Sequence, residues 1–244
     1  MKSWGISHVG LQRKLNEDAY VIRTFGEHDQ AYFVVCDGMG GAKAGDVASR
    51  VALESFSERL DSLLKPKMSN EDMVDAVSRA AAAANSRVWN MANDDERMEG
   101  MGTTLVAMLV CDDHAVVCNI GDSRAYLVDE QGIRQITNDH SLVGEMIARG
   151  ELSAEDAYRH PSRNVITRAI GAETEVRSDV FSLRPRAGQF VLLCSDGLTG
   201  EVSEPEIYYE IAQSGTPETA CKTLVDIANQ RGGRDNITIV LVSF

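Results

Sequence analysis

Four apolar runs in this chain meet an aspartate flanked by glycine or asparagine: Cys36-Asp37-Gly38, Ile120-Gly121-Asp122-Ser123, Cys194-Ser195-Asp196-Gly197 and Arg234-Asp235-Asn236-Ile237. A fifth acidic pair, Glu17-Asp18, precedes the apolar piece from Ala19 to Ile22. Strand ends let a rigid scaffold aim short side chains at one point, and neighbouring glycines let backbone carbonyls approach an ion. Taken singly, each Asp-Gly pair is what an ordinary turn demands. Taken together, the acids would repel one another unless cations neutralised them, which favours a shared metal site. Carboxylate donors without cysteine or histidine suit hard ions such as Mg²⁺ and Mn²⁺ rather than zinc or copper. Two such ions about 3.5–4 Å apart can bridge a water, lower its pKa toward neutrality and hold it for in-line attack on phosphorus. A phosphate then needs a cation of its own. Arg13, four residues before Glu17, offers a guanidinium that grips two phosphate oxygens at once.

The elements that must position these groups can be read from periodicity. Short runs rich in β-branched and aromatic residues predict strands at Tyr32 to Cys36, Thr103 to Val110, Ala115 to Ile120, Ala125 to Val128, Phe190 to Cys194 and Ile237 to Val242. Helices are predicted from Gly45 to about Leu64 and from Asn70 to about Asn93, the second opened by Ser69 with Asp72 in a capping-box spacing. Thr216-Pro217-Glu218 has the cap-then-proline form of another helix start, running to about Gln230, and a pair of short helices is expected between Ser141 and Tyr158. Two sheets packed on each other with helices outside would bury all of this. No repeat or linker divides the chain, so one domain over residues 1–244 is expected.

Composition narrows the partners. A formal charge of −13 would be repelled by a phosphate backbone or an anionic membrane, so neither nucleic acid nor membrane insertion is expected. No long apolar window and no signal-peptide core behind Lys2 point to the cytoplasm. The five cysteines form no CxxC pair and are expected to be reduced and mostly buried. His8, His28, His114 and His160 lack metal-ligand spacing, and Met91, Met98 and Met101 fit packing roles. Cys118 and Arg124 match the C-x₅-R spacing of cysteine-dependent phosphatases, but Cys118 sits inside an apolar run near Asp122, which would raise rather than lower a thiol pKa. A two-metal phosphodiesterase acting on nucleotides would be expected to carry stacking aromatics or basic surface, and aromatics make up only 6%.

Jointly, the segments Gly10 to Asp18, Val35 to Gly41, Gly102-Thr103-Thr104, Gly121 to Arg124, Asp139-His140-Ser141, Cys194 to Leu198 and Gly233 to Thr238 resemble the metal-dependent type 2C serine/threonine protein phosphatases in their compact bacterial form. The resemblance implies an α+β fold, a four-layer α-β-β-α sandwich whose two central, mostly antiparallel sheets are flanked by helices. It implies that Asp37 bridges two metals, that Asp196 and Asp235 hold the first, and that Glu17 with the Gly38 carbonyl helps hold the second. Asp18 would orient the attacking water and Arg13 would bind the substrate phosphate. A third, weaker ion would fall to Asp122 with Asp196, and a flap would occupy about 138–164. The cofactors implied are two Mn²⁺ or Mg²⁺ ions, with no covalent intermediate. The partners implied are phosphorylated proteins, including a bacterial Ser/Thr kinase that the enzyme opposes, and a monomer is expected. The alternative of the same fold is a catalytically silent phosphoprotein-binding scaffold. One position departs from the pattern: Met39 stands where animal members have a histidine proposed to protonate the leaving alkoxide. A metal-bound water, or less readily His140, would then have to serve.

Overall fold

A strand that is apolar on both faces has to be covered twice, and that requirement organises this molecule. The computed structural model describes residues 1–26, 30–40, 44–153, 156 and 160–244. In chain order its elements are β1 (Lys2–His8), β2 (Asp18–Phe25), β3 (Gln30–Met39), α1 (Ala44–Asp61), α2 (Asn70–Asp94), β4 (Gly102–Thr103), β5 (Leu105–Cys111), β6 (His114–Ile120), β7 (Arg124–Asp129) and β8 (Gly132–Gln135). They continue with α3 (Leu142–Ala148), β9 (Asp179–Leu183), β10 (Phe190–Cys194), α4 (Asp196–Thr199), α5 (Glu204–Gln213), α6 (Pro217–Gln230) and β11 (Ile237–Ser243). One sheet runs β1-β11-β10-β7-β8 and the other β2-β3-β5-β6-β9, with β4 paired to β3. Every described pairing is antiparallel.

Alternation sorts the side chains into three layers of core. Phe33 and Val35 of β3, Val106 and Met108 of β5, Val191 and Leu193 of β10 and Val240 and Val242 of β11 fill the space between the sheets. Their neighbours Tyr32, Val34 and Cys36 point the other way, onto Ala48, Ala52 and Phe56 of α1 and the alanine stripe of α2. The second sheet turns Leu192, Cys194, Ile239 and Leu241 outward onto Ile207 of α5 and Cys221 and Leu224 of α6. The result is the four-layer α-β-β-α sandwich implied above.

The caps behave as their chemistry demands. The Asp72 N–H donates to Ser69 Oγ (3.1 Å) and the Ser69 N–H to Asp72 Oδ2 (3.2 Å), and Thr216 accepts from the Thr219 N–H (3.2 Å). Several elements differ from expectation. The run expected as one strand from Thr103 to Val110 is broken at Thr104, because Thr104 spends its own N–H and hydroxyl on Asp37. Strands β1, β2, β8 and β9 and helix α5 were not foreseen: the strands mix polar and half-buried residues, and α5 is fixed at its start by Ser203 donating its N–H to Glu206 (3.1 Å). Of the expected pair of short helices, the first is α3, and the second falls largely on residues outside those described.

Candidate metal centre

Register brings the acids of each sheet to one of its ends, and the hydrogen bond from Ser195 Oγ to Asp18 Oδ2 joins those two ends. Asp18 at the start of β2 lies opposite Asp37 near the end of β3. On the same sheet Ile120 closes β6 opposite Leu105, so the Gly121–Ser123 turn leaves from that end. On the other sheet Cys194 of β10 lies opposite both Arg124 and Ile239, which puts Ser195-Asp196 and Asp235-Asn236 there too.

Asp37, Asp18 and Glu17 are then held by neighbours the sequence does not place beside them. Asp37 has its N–H bonded to Thr104 Oγ1 (2.9 Å), and its carbonyl accepts from the Thr104 N–H and the Thr103 hydroxyl (both 2.8 Å). The Gly102-Thr103-Thr104 segment is thus a clamp on the backbone of Asp37. Asp18 Oδ2 accepts from Ser195 Oγ (2.8 Å), whose own acceptor site is filled by the Thr238 N–H (3.0 Å). Glu17 takes an N–H from Asp46 in the first turn of α1, where a helix terminus favours an anion. Asn236 ties the loops together: its Oδ1 accepts from the Glu17 N–H (2.8 Å), and its Nδ2 donates to the carbonyls of Val9 (2.9 Å) and Leu15 (3.0 Å).

Two glycines are required by close approach. A Cβ on Gly38 would meet the Gly45 carbonyl oxygen at 2.1 Å, and one on Gly197 the Asn236 carbonyl at 1.9 Å. The first leaves room for the Gly38 backbone between β2 and α1. The second lets α4, which begins at Asp196, rest on the backbone that carries Asp235.

The electrostatics are those of crowded anions. Burial lifts Asp37 well above the usual carboxylate range, and Asp18, Asp196, Asp122 and Asp235 lift it further. Asp18 and Asp122 are raised first by burial and then by Asp196, Asp18 being partly relieved by hydrogen bonds to Thr238 and Ser195. Asp196 is raised by burial and by Asp235, and its carboxyl lies within hydrogen-bonding reach of Asp37. Two carboxylates approach that closely only when a proton or a cation lies between them. Glu17 is raised by burial, with Arg13 opposing the shift.

Among the described residues no three acidic, histidine or cysteine groups stand ready at coordination distance around one point. The fit to a cation rests on three other observations. Asp18 Oδ1 is buried without a hydrogen-bond partner, the donor set is all oxygen, and the acids mutually disfavour their charged forms. These residues fit a hard divalent ion.

The candidate cation for phosphate, Arg13, is half exposed on the loop before β2 and donates from Nη2 to Asp235 Oδ2 (2.7 Å). The structure therefore brings Arg13, Glu17, Asp18, Asp37, Gly38, Asp122, Asp196 and Asp235 to one end of the sandwich. It does not support two other sequence expectations. Cys118 is fully buried in β6 and burial pushes its thiol up to about 12, so it cannot serve as a thiolate nucleophile. His140 is no free general acid, since its Nδ1 accepts from the Gly121 N–H (3.0 Å) and its Nε2 is enclosed by Arg168 Nη1 (2.9 Å) and Asp179 Oδ2 (3.2 Å). Met39 is seated at the end of β3, opposite Gly102. A cavity of about 420 Å³ lined by Arg124, Tyr126, Thr199, Glu201 and Arg231 among others has none of the residues just named as the site in its lining.

Sequence reasoning missed the clamping roles of Thr103, Thr104, Ser195 and Asn236. For Ser195 and Asn236 the signal was their place beside Asp196 and Asp235, where a polar residue next to a buried carboxylate must satisfy something; Thr103 and Thr104 have no acid beside them in the chain and carried no such signal.

The chain is similar to known proteins over most of its length. The family model described as Protein phosphatase 2C matches residues 5–228. The serine/threonine phosphatase stp of Listeria monocytogenes is 38% identical over 214 residues, covering 88% of this chain and 84% of that one. Protein phosphatase PhpP of Streptococcus pneumoniae is 36% identical over 244 residues, covering 98% and 95%. The crystal structure of the serine/threonine phosphatase Stp1 from Staphylococcus aureus superposes with a TM-score of 0.93 at 33% identity, covering 100% of this chain and 94% of that one.

Proposed function

The chain belongs to the protein phosphatase 2C family and is a serine/threonine protein phosphatase of bacterial type, and from that premise we propose how its own residues bind and hydrolyse the phosphate ester. The observation that carries the reading is the delivery of Asp18 and Asp37 by one sheet and Asp196 and Asp235 by the other to a single end.

Asp37, Asp196 and Asp235 would hold a first divalent ion, and Asp37, Glu17 and the Gly38 carbonyl a second. Asp122 with Asp196 would take a third. When bound, such ions supply an acidified water and neutralise charge building on the phosphoryl group. Asp18 orients the attacking water: Ser195 fixes one carboxyl oxygen, which leaves Oδ1 as the one to receive a hydrogen bond from that water. Arg13 binds the phosphate with the donors of its fork that Asp235 does not occupy. Met39 supplies no proton, so the leaving alkoxide takes its proton from solvent-derived water on these residues. Segment 138–164, part of which lies outside the described residues, serves to select among phosphoproteins as a flap does, and residues 1–244 act as one catalytic domain. The enzyme opposes a Ser/Thr kinase in the cytoplasm and uses Mn²⁺ in preference to Mg²⁺.

The test is phosphate release from a phosphothreonine peptide by the purified chain, with Mn²⁺, with excess chelator, and with Asp196→Asn and Cys118→Ser run in parallel. Release that needs Mn²⁺, disappears in Asp196→Asn and survives in Cys118→Ser is the expected result. Release that persists in chelator would end the metal-dependent reading.

A further inference from the structure

Loop 231–235 carries more of the site than its one aspartate. Asp235 projects from it, and the carbonyl of Gly233 accepts from the N–H groups of Leu11 (2.8 Å) and Gln12 (3.2 Å). The loop that presents Arg13 is therefore hung on Gly233. Whatever fixes residues 231–235 fixes both a proposed metal ligand and the proposed phosphate cation.

Backbone bonds from the Gly232 and Gly233 N–H groups to the Asn229 (3.0 Å) and Ala228 (3.1 Å) carbonyls anchor the loop on α6, Glu206 pairs with Arg231, and Glu201 holds Arg234, the residue next to Asp235. Glu201 Oε1 accepts from Arg234 Nε (2.7 Å) and its Oε2 from Arg234 Nη2 (3.0 Å), a two-point grip, with the Arg234 backbone N–H at 3.4 Å from Oε1. The Glu201 carbonyl also accepts from Arg231 Nη1 (2.9 Å), so both ends of the loop's basic stretch are bound to one residue. The Glu201 side chain is 5% exposed against 51% for Arg234, and the Arg234 hydrogen bonds hold its carboxyl below the usual range. Glu201 is itself tied to Asp196: the Gly200 N–H donates to the Asp196 carbonyl (2.7 Å) and the Glu201 N–H to that of Leu198 (3.1 Å). The turn that begins with one proposed ligand thus ends on the carboxylate that restrains the loop of another.

We infer that Glu201 is a positioning residue for the metal centre: through its two-point grip on Arg234 it sets where Asp235 and, by way of Gly233, Arg13 stand relative to Asp196. The inference rests on the metal-dependent reading above and adds a residue to it. A paired fork constrains distance and angle together, which a point charge does not. Glu201→Gln and Arg234→Lys should therefore each loosen the loop while keeping size and, in the lysine case, charge.

The experiment titrates Mn²⁺ into the full chain by calorimetry, without substrate, for wild type, Glu201→Gln, Arg234→Lys and the double variant. Competitive inhibition by inorganic phosphate and thermal midpoints in chelator are measured alongside. Each single variant should bind Mn²⁺ about tenfold more weakly, the usual consequence of loosening a ligand's support. Phosphate inhibition should weaken in parallel, and the double variant should be no worse than the poorer single one. Variants that melt earlier but bind Mn²⁺ and phosphate as wild type does would show a brace for the fold and overturn the inference. Wild type that binds no Mn²⁺ would overturn the metal-dependent reading itself, a result distinct from loss in the variants alone.

Discussion

At the acidic end of the sheets Asp18, Asp37, Asp122 and Asp196 each have another carboxylate as first charged neighbour, whereas at the root of segment 138–164 Asp139 and Asp179 each have a cation. Asp139 is gripped by Arg124 through Nε (3.0 Å to each oxygen) and Nη2 (2.7 Å), with Gln135 donating as well (2.8 Å). Asp179 accepts from Arg168 Nη1 (2.9 Å) and faces His140. The shifts have opposite signs. Burial raises Asp37 and its acidic neighbours raise it further, while at Asp179 the Arg168 and His140 hydrogen bonds outweigh burial and hold the group low. The same residue type is thus used in two ways: with internal counter-charge it braces a chain turn, and without it the protein keeps an anionic site at a cost in its own stability.

The sharpest way to break that comparison is Asp37→Asn. Removing a donor shared by both proposed ions should cost several kcal/mol of transition-state stabilisation, on the order of a thousandfold in kcat/KM. In chelator the same change relieves repulsion, so the thermal midpoint should rise by about 2–4 °C, roughly 1 kcal/mol for a chain of this size. A midpoint that falls would mean that the acids are not in mutual conflict.

Asp139→Ala should do the opposite. It leaves Arg124, 28% exposed, without its partner, and breaking a largely buried pair costs about 3 kcal/mol. Urea unfolding in chelator measures it, and a loss below about 1 kcal/mol would show that the pair is no brace. Activity should fall less than in Asp37→Asn, because Asp139 holds the strand that follows the Asp122 turn rather than an ion.

The two groups also differ in how far they could be read from the chain. The acids of the candidate centre announce themselves locally, since Asp37, Asp122, Asp196 and Asp235 each interrupt an apolar run beside glycine or asparagine. The layered fold was legible for the same reason, as β3, β5, β6, β10 and β11 are apolar on both faces. The balanced pairs have no such mark. Arg124 and Asp139 are 15 residues apart and Glu201 and Arg234 are 33 apart, and only the folded register brings them together. Strand β9 was missed because at a sheet edge four of its five residues are half-buried and Ser182 is exposed, and β5 was expected to begin two residues early because nothing local shows that Thr103 and Thr104 serve Asp37. Short-range pattern reports what a residue is; long-range pairing decides what it is for.

The smallest expected effect concerns His140 and separates the two groups by their response to pH. The Gly121 N–H donates to Nδ1, Nε2 lies between Asp179 Oδ2 (3.2 Å) and Arg168 Nη1 (2.9 Å), and the Thr167 N–H donates to the His140 carbonyl (2.8 Å). Burial lowers the ring's pKa from its ordinary 6.5, with Arg168 acting the same way and Asp179 and Asp139 opposing. With the folded value depressed, the unfolded chain takes up the proton first as pH falls. Stability owed to the neutral ring is therefore complete above about pH 6.5 and declines below it, toward the folded value. The raised carboxylates act in the reverse sense, as folded protein binds their protons first and gains stability on acidification. His140→Asn keeps an acceptor for the Gly121 N–H and removes the titrating ring, while the acids are common to both proteins and cancel. In chelator, the stability gap between wild type and variant should narrow from pH 7.5 to pH 5.5 in urea unfolding. A gap that widens on acidification would mean that Asp179 holds the ring protonated, and that the root of segment 138–164 is built on an ion pair rather than on a neutral hydrogen bond.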